Sequence, residues 1–254
     1  MATEKPSIVL IQGSFQTPLV YAKLAAGLRD LGYPVTHPTL PSCIDVEADD
    51  FPTRTMEDDV RTITETLQQL IEKEEKSVVV VMHSYGGIVG STAIPQSLAY
   101  TSRQAEGKKG GVLHLFYYAA FVLPEGTSVI STFGESPNNY VTSDGRFRIM
   151  NGAKTLYSDL PDAEAALWES RLIPQSYLVQ TTPTTRAAYE YLPSTYLICE
   201  GDQAAPATFQ GGFAKLARAE IDRCSAGHSP MLSDPEMLVG KIAAVVDKAV
   251  AASV

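Results

Sequence analysis

The sequence predicts an α/β protein with a mostly parallel central sheet, helices on both faces and one irregular insertion. Three features point there. Apolar runs at Ser7–Ile11, Ser77–Met82, Val112–Ala120 and Thr195–Cys199 lack polar alternation, the pattern of strands buried on both faces. Segments with apolar residues at helical spacing lie between them. The two kinds alternate along the chain, as in units whose crossover helices pack onto a parallel sheet.

The first strand, Ser7–Ile11, ends at Gly13, and Pro18–Leu31 follows with Leu19, Leu24, Leu28 and Leu31 as a helical stripe that Gly32 stops. A short strand is expected at Pro34–His37, then a Pro- and Asp-rich loop to Arg54. Thr55 and Asp58 have the spacing of a capping box, and Val60, Ile63, Leu67, Leu70 and Ile71 form the apolar stripe of a helix to about Lys76. Ser77–Met82 is the expected central strand, with a helix from Tyr85 and a further strand at Val112–Ala120. From Leu123 to Pro193 the pattern breaks into short amphipathic pieces rich in aromatics: Phe133, Tyr140, Phe147, Tyr157, Trp168 and Tyr177. Residues 123–193 are therefore expected to form a helical lid, inserted before the penultimate strands of a core made of residues 1–122 and 194–254. Order returns with Thr195–Cys199, a helix near Phe209–Arg218, a strand at Glu220–Cys224 and a closing helix from Pro235 to Ala251.

Composition narrows the partners. The 254 residues carry 20 Lys+Arg against 29 Asp+Glu, a net charge of −9, with no basic cluster. Such a chain offers no electrostatic footprint for nucleic acid or anionic lipid. The polar amino end, Met1–Pro6, has no secretory pattern, and the run Val78–Val81 falls far short of the roughly 18–20 residues that cross a bilayer. Cys43, Cys199 and Cys224, odd in number and far apart, suit reduced thiols and show no metal-ligand spacing. The expectation is a cytoplasmic protein acting on a small molecule, without nucleic acid or membrane, and compatible with a homodimer.

Chemistry concentrates at Val81-Met82-His83-Ser84-Tyr85-Gly86-Gly87. A serine where a buried strand turns into a helix exposes its hydroxyl at the helix's positive end, where a developing oxyanion can be bound. Gly86, Gly87 and Gly90 let that helix approach the sheet closely. The phosphate-loop alternative lacks its Gly-x-x-x-x-Gly-Lys-Ser/Thr pattern.

This segment resembles the nucleophile elbow, Gly-x-Ser-x-Gly, of the α/β-hydrolase fold family, with Met82 in place of the first glycine. The resemblance runs from Ile8 to the closing helix and implies the chain order Ser, acid, His. Asp202 in Tyr196-Leu197-Ile198-Cys199-Glu200-Gly201-Asp202 resembles the family's acid, with Glu200 as the alternative carboxylate. His228 in Ala226-Gly227-His228-Ser229-Pro230 resembles the family's histidine, whereas His37, His83 and His114 read as packed or hydrogen-bonded side chains. Ser84, Asp202 and His228 are thus the expected catalytic residues, and activity should rise with pH as His228 becomes neutral. The oxyanion donors implied are Tyr85 N–H and, from Ile11-Gln12-Gly13-Ser14-Phe15, Ser14 N–H, with Phe15 as second choice. Phe15 and Trp168 are candidate substrate contacts.

Compact size and loop lengths are most similar to the branch holding plant methylesterases, hydroxynitrile lyases and small microbial esterases, which is cofactor-free; no cofactor and no metal are expected. The implied activity is hydrolysis of an ester or lactone of an apolar, aromatic or polyketide-like molecule through an acyl-enzyme. The alternatives are a lyase, carbon–carbon cleaving or cyclising enzyme on the same scaffold, or a ligand receptor with little turnover. Hydroxynitrile lyases of this branch typically carry lysine after the histidine and threonine in the oxyanion loop; here those positions are Ser229 and Gly13.

Overall fold

A computed structural model describes residues 5–253; the polar amino end and the core boundaries expected at residues 1–4 and 254 lie outside the described residues. Strand β1 (Ser7–Ile11) leads through a 3-10 turn at Pro18–Tyr21 into α1 (Ala22–Asp30), followed by β2 (Val35–Thr36). Helix α2 (Met56–Gln68) ends in a π-helical turn over Gln69–Lys73. Next come β3 (Ser77–His83), α3 (Gly86–Ala93), α4 (Tyr100–Ala105) and β4 (Gly111–Tyr118). The following segment contains α5 (Val129–Phe133), β5 (Asn139–Val141), β6 (Arg146–Ile149), α6 (Gly152–Thr155), α7 (Asp162–Glu169), β7 (Gln175–Ser176) and α8 (Leu178–Thr181). The chain closes with β8 (Ser194–Cys199), α9 (Ala207–Leu216), β9 (Glu220–Cys224), α10 (Pro230–Ser233) and α11 (Pro235–Ala251).

Six strands form one parallel sheet in the order β2-β1-β3-β4-β8-β9. Side chains alternate between its faces. Val78, Val80 and Met82 join Ile63 and Leu67 of α2, Ile88 and Val89 of α3 and Phe213 of α9 in one core. Val79 and Val81 join Leu24 and Leu28 of α1 and Leu238, Ile242 and Val246 of α11 in the other. Burial on both sides explains why β3 reads as an unbroken β-branched run. The strand order reverses between β1 and β3, so the loops leaving their carboxyl ends diverge to opposite faces and open a crevice there, the usual place for a ligand in such a sheet. Ile11 pairs with Met82, which sets Gln12 beside His83 at the rim of that crevice.

Local signals agree with the elements. Asp58 accepts the Thr55 backbone N–H at 2.9 Å, the expected cap on α2. Leu19 and Leu31, expected on the apolar stripe of the first helix, are exposed instead; the 3-10 turn advances the phase so that Val20, Tyr21, Leu24, Ala25 and Leu28 face the core. Segment 123–193 is not helical throughout: β5, β6 and β7 form a three-stranded antiparallel sheet beside four short helices. The cause is a hairpin turn at Asp144-Gly145, where Gly145 has φ 84 and Val141 pairs with Phe147. Val129, Phe147 and Val179 from this segment enter one core, and Leu156, Tyr157 and Leu160 the other. Among the described residues no helix is long and apolar enough to cross a membrane.

Candidate active site

Ser84 stands on the turn between β3 and α3 with φ 51, a left-handed conformation rare for a residue with a side chain. Its carbonyl accepts from Gly87 N–H and Phe121 N–H, both at 3.0 Å, which fixes the turn from two directions. The glycines are sterically required. A Cβ on Gly86 would lie 2.5 Å from the Ile11 carbonyl oxygen, and one on Gly87 would lie 2.3 Å from that of Phe121. The departure at Met82 is absorbed by Gly90, whose added Cβ would meet the Met82 sulfur at 2.4 Å, so the missing glycine before the elbow is matched by one after it.

Three residues far apart in sequence meet at this turn. Ser84 Oγ is 3.1 Å from His228 Nε2, and His228 Nδ1 is 2.8 Å from Asp202 Oδ2. A carboxylate only accepts, so Nδ1 carries the proton, and Nε2 of the neutral ring is left to accept from the serine hydroxyl. All three side chains are buried. Four donors converge on Asp202: Ala204 N–H and Ala205 N–H on Oδ1, and Gln210 Nε2 and His228 Nδ1 on Oδ2. Gln210 is itself locked, accepting from Cys199 N–H at 2.9 Å and donating to the Ala205 carbonyl at 2.7 Å. Sequence reading missed it; a glutamine among apolar residues of α9 was the available signal. Glu200 turns to the surface and pairs with Arg223 at 3.0 Å, away from His228.

The other histidines behave as packed groups, but one supports the site. His83 Nε2–H donates to the His228 carbonyl at 2.8 Å, which holds the histidine loop, and burial keeps the His83 ring well below the ordinary imidazole range and so neutral. Tyr21 accepts Gly13 N–H at 2.8 Å, and its hydroxyl lies 2.7 Å from both Gln16 Oε1 and His83 Nδ1. Gln12 anchors the same loop by donating to the Gln16 carbonyl. With Gly13 N–H committed to Tyr21, the N–H groups of Ser14, Phe15 and Tyr85 have no acceptor inside the protein among the described residues.

The Tyr85 side chain points away from the crevice into the core, where its hydroxyl donates to Asp59 Oδ2 at 2.8 Å. Ser42 gives Asp59 two more bonds, from Oγ at 2.6 Å and from its backbone N–H at 2.9 Å. Burial pushes the Asp59 carboxyl up to about 6 from its usual 3.8 despite these donors; Cys43, Tyr85 and Asp58 are the titratable groups around it. A raised acid pKa stabilises the fold below the unfolded value, and that stability is lost as pH rises through the folded one. The stability of the natural chain relative to Asp59→Asn should therefore fall by about 3 kcal/mol between pH 3 and pH 7.5. Urea unfolding of both proteins across that range checks this; a constant difference would show that Asp59 does not titrate there.

A cavity of about 310 Å³ opens over Ser84 and His228. Phe15, Phe121, Val129, Phe133, Phe147 and Phe209 provide most of its apolar wall. Phe15, with φ 65, meets Phe147 edge-on with centroids 4.8 Å apart, so the loop after β1 and the β5–β6 hairpin close one side together. Trp168 is a correction. It lies on α7, stacks under Arg171 at 4.7 Å, packs beside the core that includes Tyr157 and does not line the cavity. Helical spacing placed it on a packing face of α7. Of the other aromatics of segment 123–193 singled out in the sequence, Phe133 and Phe147 reach the cavity, Tyr157 does not line it and Tyr140 is exposed. Among the described residues no group of three or more His, Cys, Asp or Glu is placed to hold a metal ion.

An elbow serine after the third strand of this sheet, facing a late histidine and acid, is the arrangement of one large enzyme family, and the sequence comparison agrees. The model of the alpha/beta hydrolase family matches residues 8–241, and the chain belongs to that family. It is 30% identical over 247 residues to the alpha/beta hydrolase nvfD of Aspergillus novofumigatus (strain IBT 16806), covering 94% of this chain and 95% of that one. Among solved structures it is similar to tomato methylketone synthase I complexed with 2-tridecanone, with TM-score 0.75, 17% identity and coverage of 96% and 98% of the two chains. A pyrethroid hydrolase from Sphingobium faniae JZ-2 superposes with TM-score 0.69 and 20% identity over 95% and 97%. Kinship to hydrolases supports hydrolase activity in general terms.

Proposed function

We propose that this chain is a serine hydrolase that cleaves an ester or lactone of an apolar small molecule through an acyl-enzyme on Ser84. The observation that carries the reading is the hydrogen-bonded chain from Ser84 Oγ through His228 to Asp202, at 3.1 and 2.8 Å. His228 Nε2 takes the hydroxyl proton as Ser84 Oγ attacks the carbonyl carbon. Negative charge then develops on the carbonyl oxygen, which accepts from Tyr85 N–H at the helix start and from Ser14 N–H in the opposite loop, with Phe15 N–H as the alternative donor there. Collapse expels the alcohol, which leaves with the proton from His228. Water, deprotonated by the same nitrogen, then hydrolyses the acyl-enzyme and restores Ser84. Asp202 holds the ring's orientation and stabilises the imidazolium in both halves.

Acyl transfer is favoured over cyanohydrin cleavage by two positions beside the site. Ser229 follows His228 and is buried against Gln16, so no cation stands there to stabilise departing cyanide. Gly13 leaves no room for a threonine, because an added Cβ would lie 2.8 Å from the Ser84 Cβ and 3.0 Å from His83 Nδ1. The purified protein should hydrolyse 4-nitrophenyl acetate and butyrate while releasing no cyanide from mandelonitrile. Cyanide release without ester turnover would overturn the reading.

A further inference from the structure

Gln180 is the unexplained group of the cavity. It lies on α8, is 8% exposed, and lines the apolar wall with Phe15, Val129, Phe147 and Leu156. The other polar side chains among the buried lining residues, Ser84 and His228, bond to each other. The Gln180 amide has no hydrogen-bond partner in the protein among the described residues, although its backbone N–H is bonded to the Tyr177 carbonyl at 2.9 Å. The amide is not sealed in the core but opens to the cavity, where water or a ligand completes its hydrogen bonds. The amide is therefore presented to whatever fills the cavity. Among the lining residues there is no lysine or arginine, and the one carboxylate, Glu135, stands at the exposed mouth and accepts from the Tyr177 hydroxyl. A carboxylate on the ligand would meet like charge and no counter-charge.

We infer that Gln180 is a specificity residue that reads one neutral oxygen function, a hydroxyl or a ketone, remote from the reacting carbonyl of an otherwise apolar and uncharged substrate. This rests on the cavity over Ser84 being the substrate site. An amide both donates and accepts, so it serves either group, whereas an all-hydrocarbon ligand leaves it unpaired. Sites built to hydrogen-bond a substrate group discriminate against analogues lacking it more strongly than apolar pockets discriminate by size.

Binding tests this apart from turnover. The probes are matched pairs of unreactive ketones, phenylpropanone, phenylbutanone and phenylpentanone, whose carbonyl takes the place of the reacting one beside Ser84, each with and without a remote para-hydroxyl, titrated by calorimetry into the natural protein, Gln180→Leu and the near-isosteric Gln180→Met. At one chain length or more the hydroxyl should tighten binding by about 10-fold or more. Both variants should erase that preference while keeping the affinity for the parent ketone, which also reports an intact pocket. Absence of a preference at every length, or its survival in both variants, would overturn the assignment. Loss of ester hydrolysis bears on the Ser84 reading alone, since these probes need no nucleophile.

Discussion

Ser84→Ala should lower kcat for 4-nitrophenyl ester hydrolysis by about 10⁵-fold or more and abolish labelling by a fluorophosphonate probe, with little change in melting temperature. The size of the effect follows from what the hydroxyl alone supplies. Without Oγ there is no atom to form the acyl intermediate, and a water in its place is neither held by the turn nor aligned with His228 at 3.1 Å. Free donors at Tyr85 and Ser14 remain, so a residual rate above the uncatalysed one is expected from oxyanion stabilisation. Stability should change little, because the turn is fixed by its backbone carbonyl, bonded to Gly87 and Phe121, and not by the side chain. Relief of the positive φ at 84 does not follow either, since alanine bears the same Cβ. Mass spectrometry of the labelled protein locates the adduct; full activity in the variant, or an adduct elsewhere, contradicts the nucleophile assignment.

Periodicity in the sequence was enough for the parallel sheet, because strands buried on both faces leave uninterrupted β-branched runs that a helix-covered edge cannot imitate. The elbow was legible for a steric reason: Gly86 and Gly87 pass so close to Ile11 and Phe121 that only glycine fits. Less was legible where contacts are long-range and the residue type is common. Gln210 clamps Asp202 from a helix, Asp59 receives the Tyr85 hydroxyl from another, and Asp159 accepts Gly227 N–H at 2.6 Å from the segment between α6 and α7. None has a local pattern. Segment 123–193, expected to be helical, misled for a different reason. Its helices are four to eight residues long, too short to show a stripe, and its hairpin was announced only by Asp144-Gly145 between short apolar runs. Trp168 illustrates the same limit, since an aromatic on a short helix faces core or cavity according to packing that spacing does not reveal.

Asp202→Asn should cut kcat by about 10⁴-fold while the protein still folds, and Glu200→Gln should change it less than about 3-fold. The asymmetry comes from who the two carboxylates touch. Glu200 is an exposed partner of Arg223, a pair of the kind that contributes little even to stability. Asp202 is buried, with each oxygen accepting two N–H donors. Asparagine can keep its carbonyl oxygen on Ala204 and Ala205, which preserves the turn after β8. Its amide then replaces the oxygen that Gln210 and His228 need, and two donors face a third. The imidazole answers by taking the other tautomer, with Nδ1 accepting from the new amide and Nε2 protonated. That nitrogen is the one facing Ser84, so the base is lost although every heavy atom stays near its place. The imidazolium also loses its counter-charge in a buried site. KM should move far less than kcat, and melting should show a folded protein. A fully active Asp202→Asn beside an inactive Glu200→Gln would transfer the role to Glu200 and require the loop after β8 to rearrange in solution.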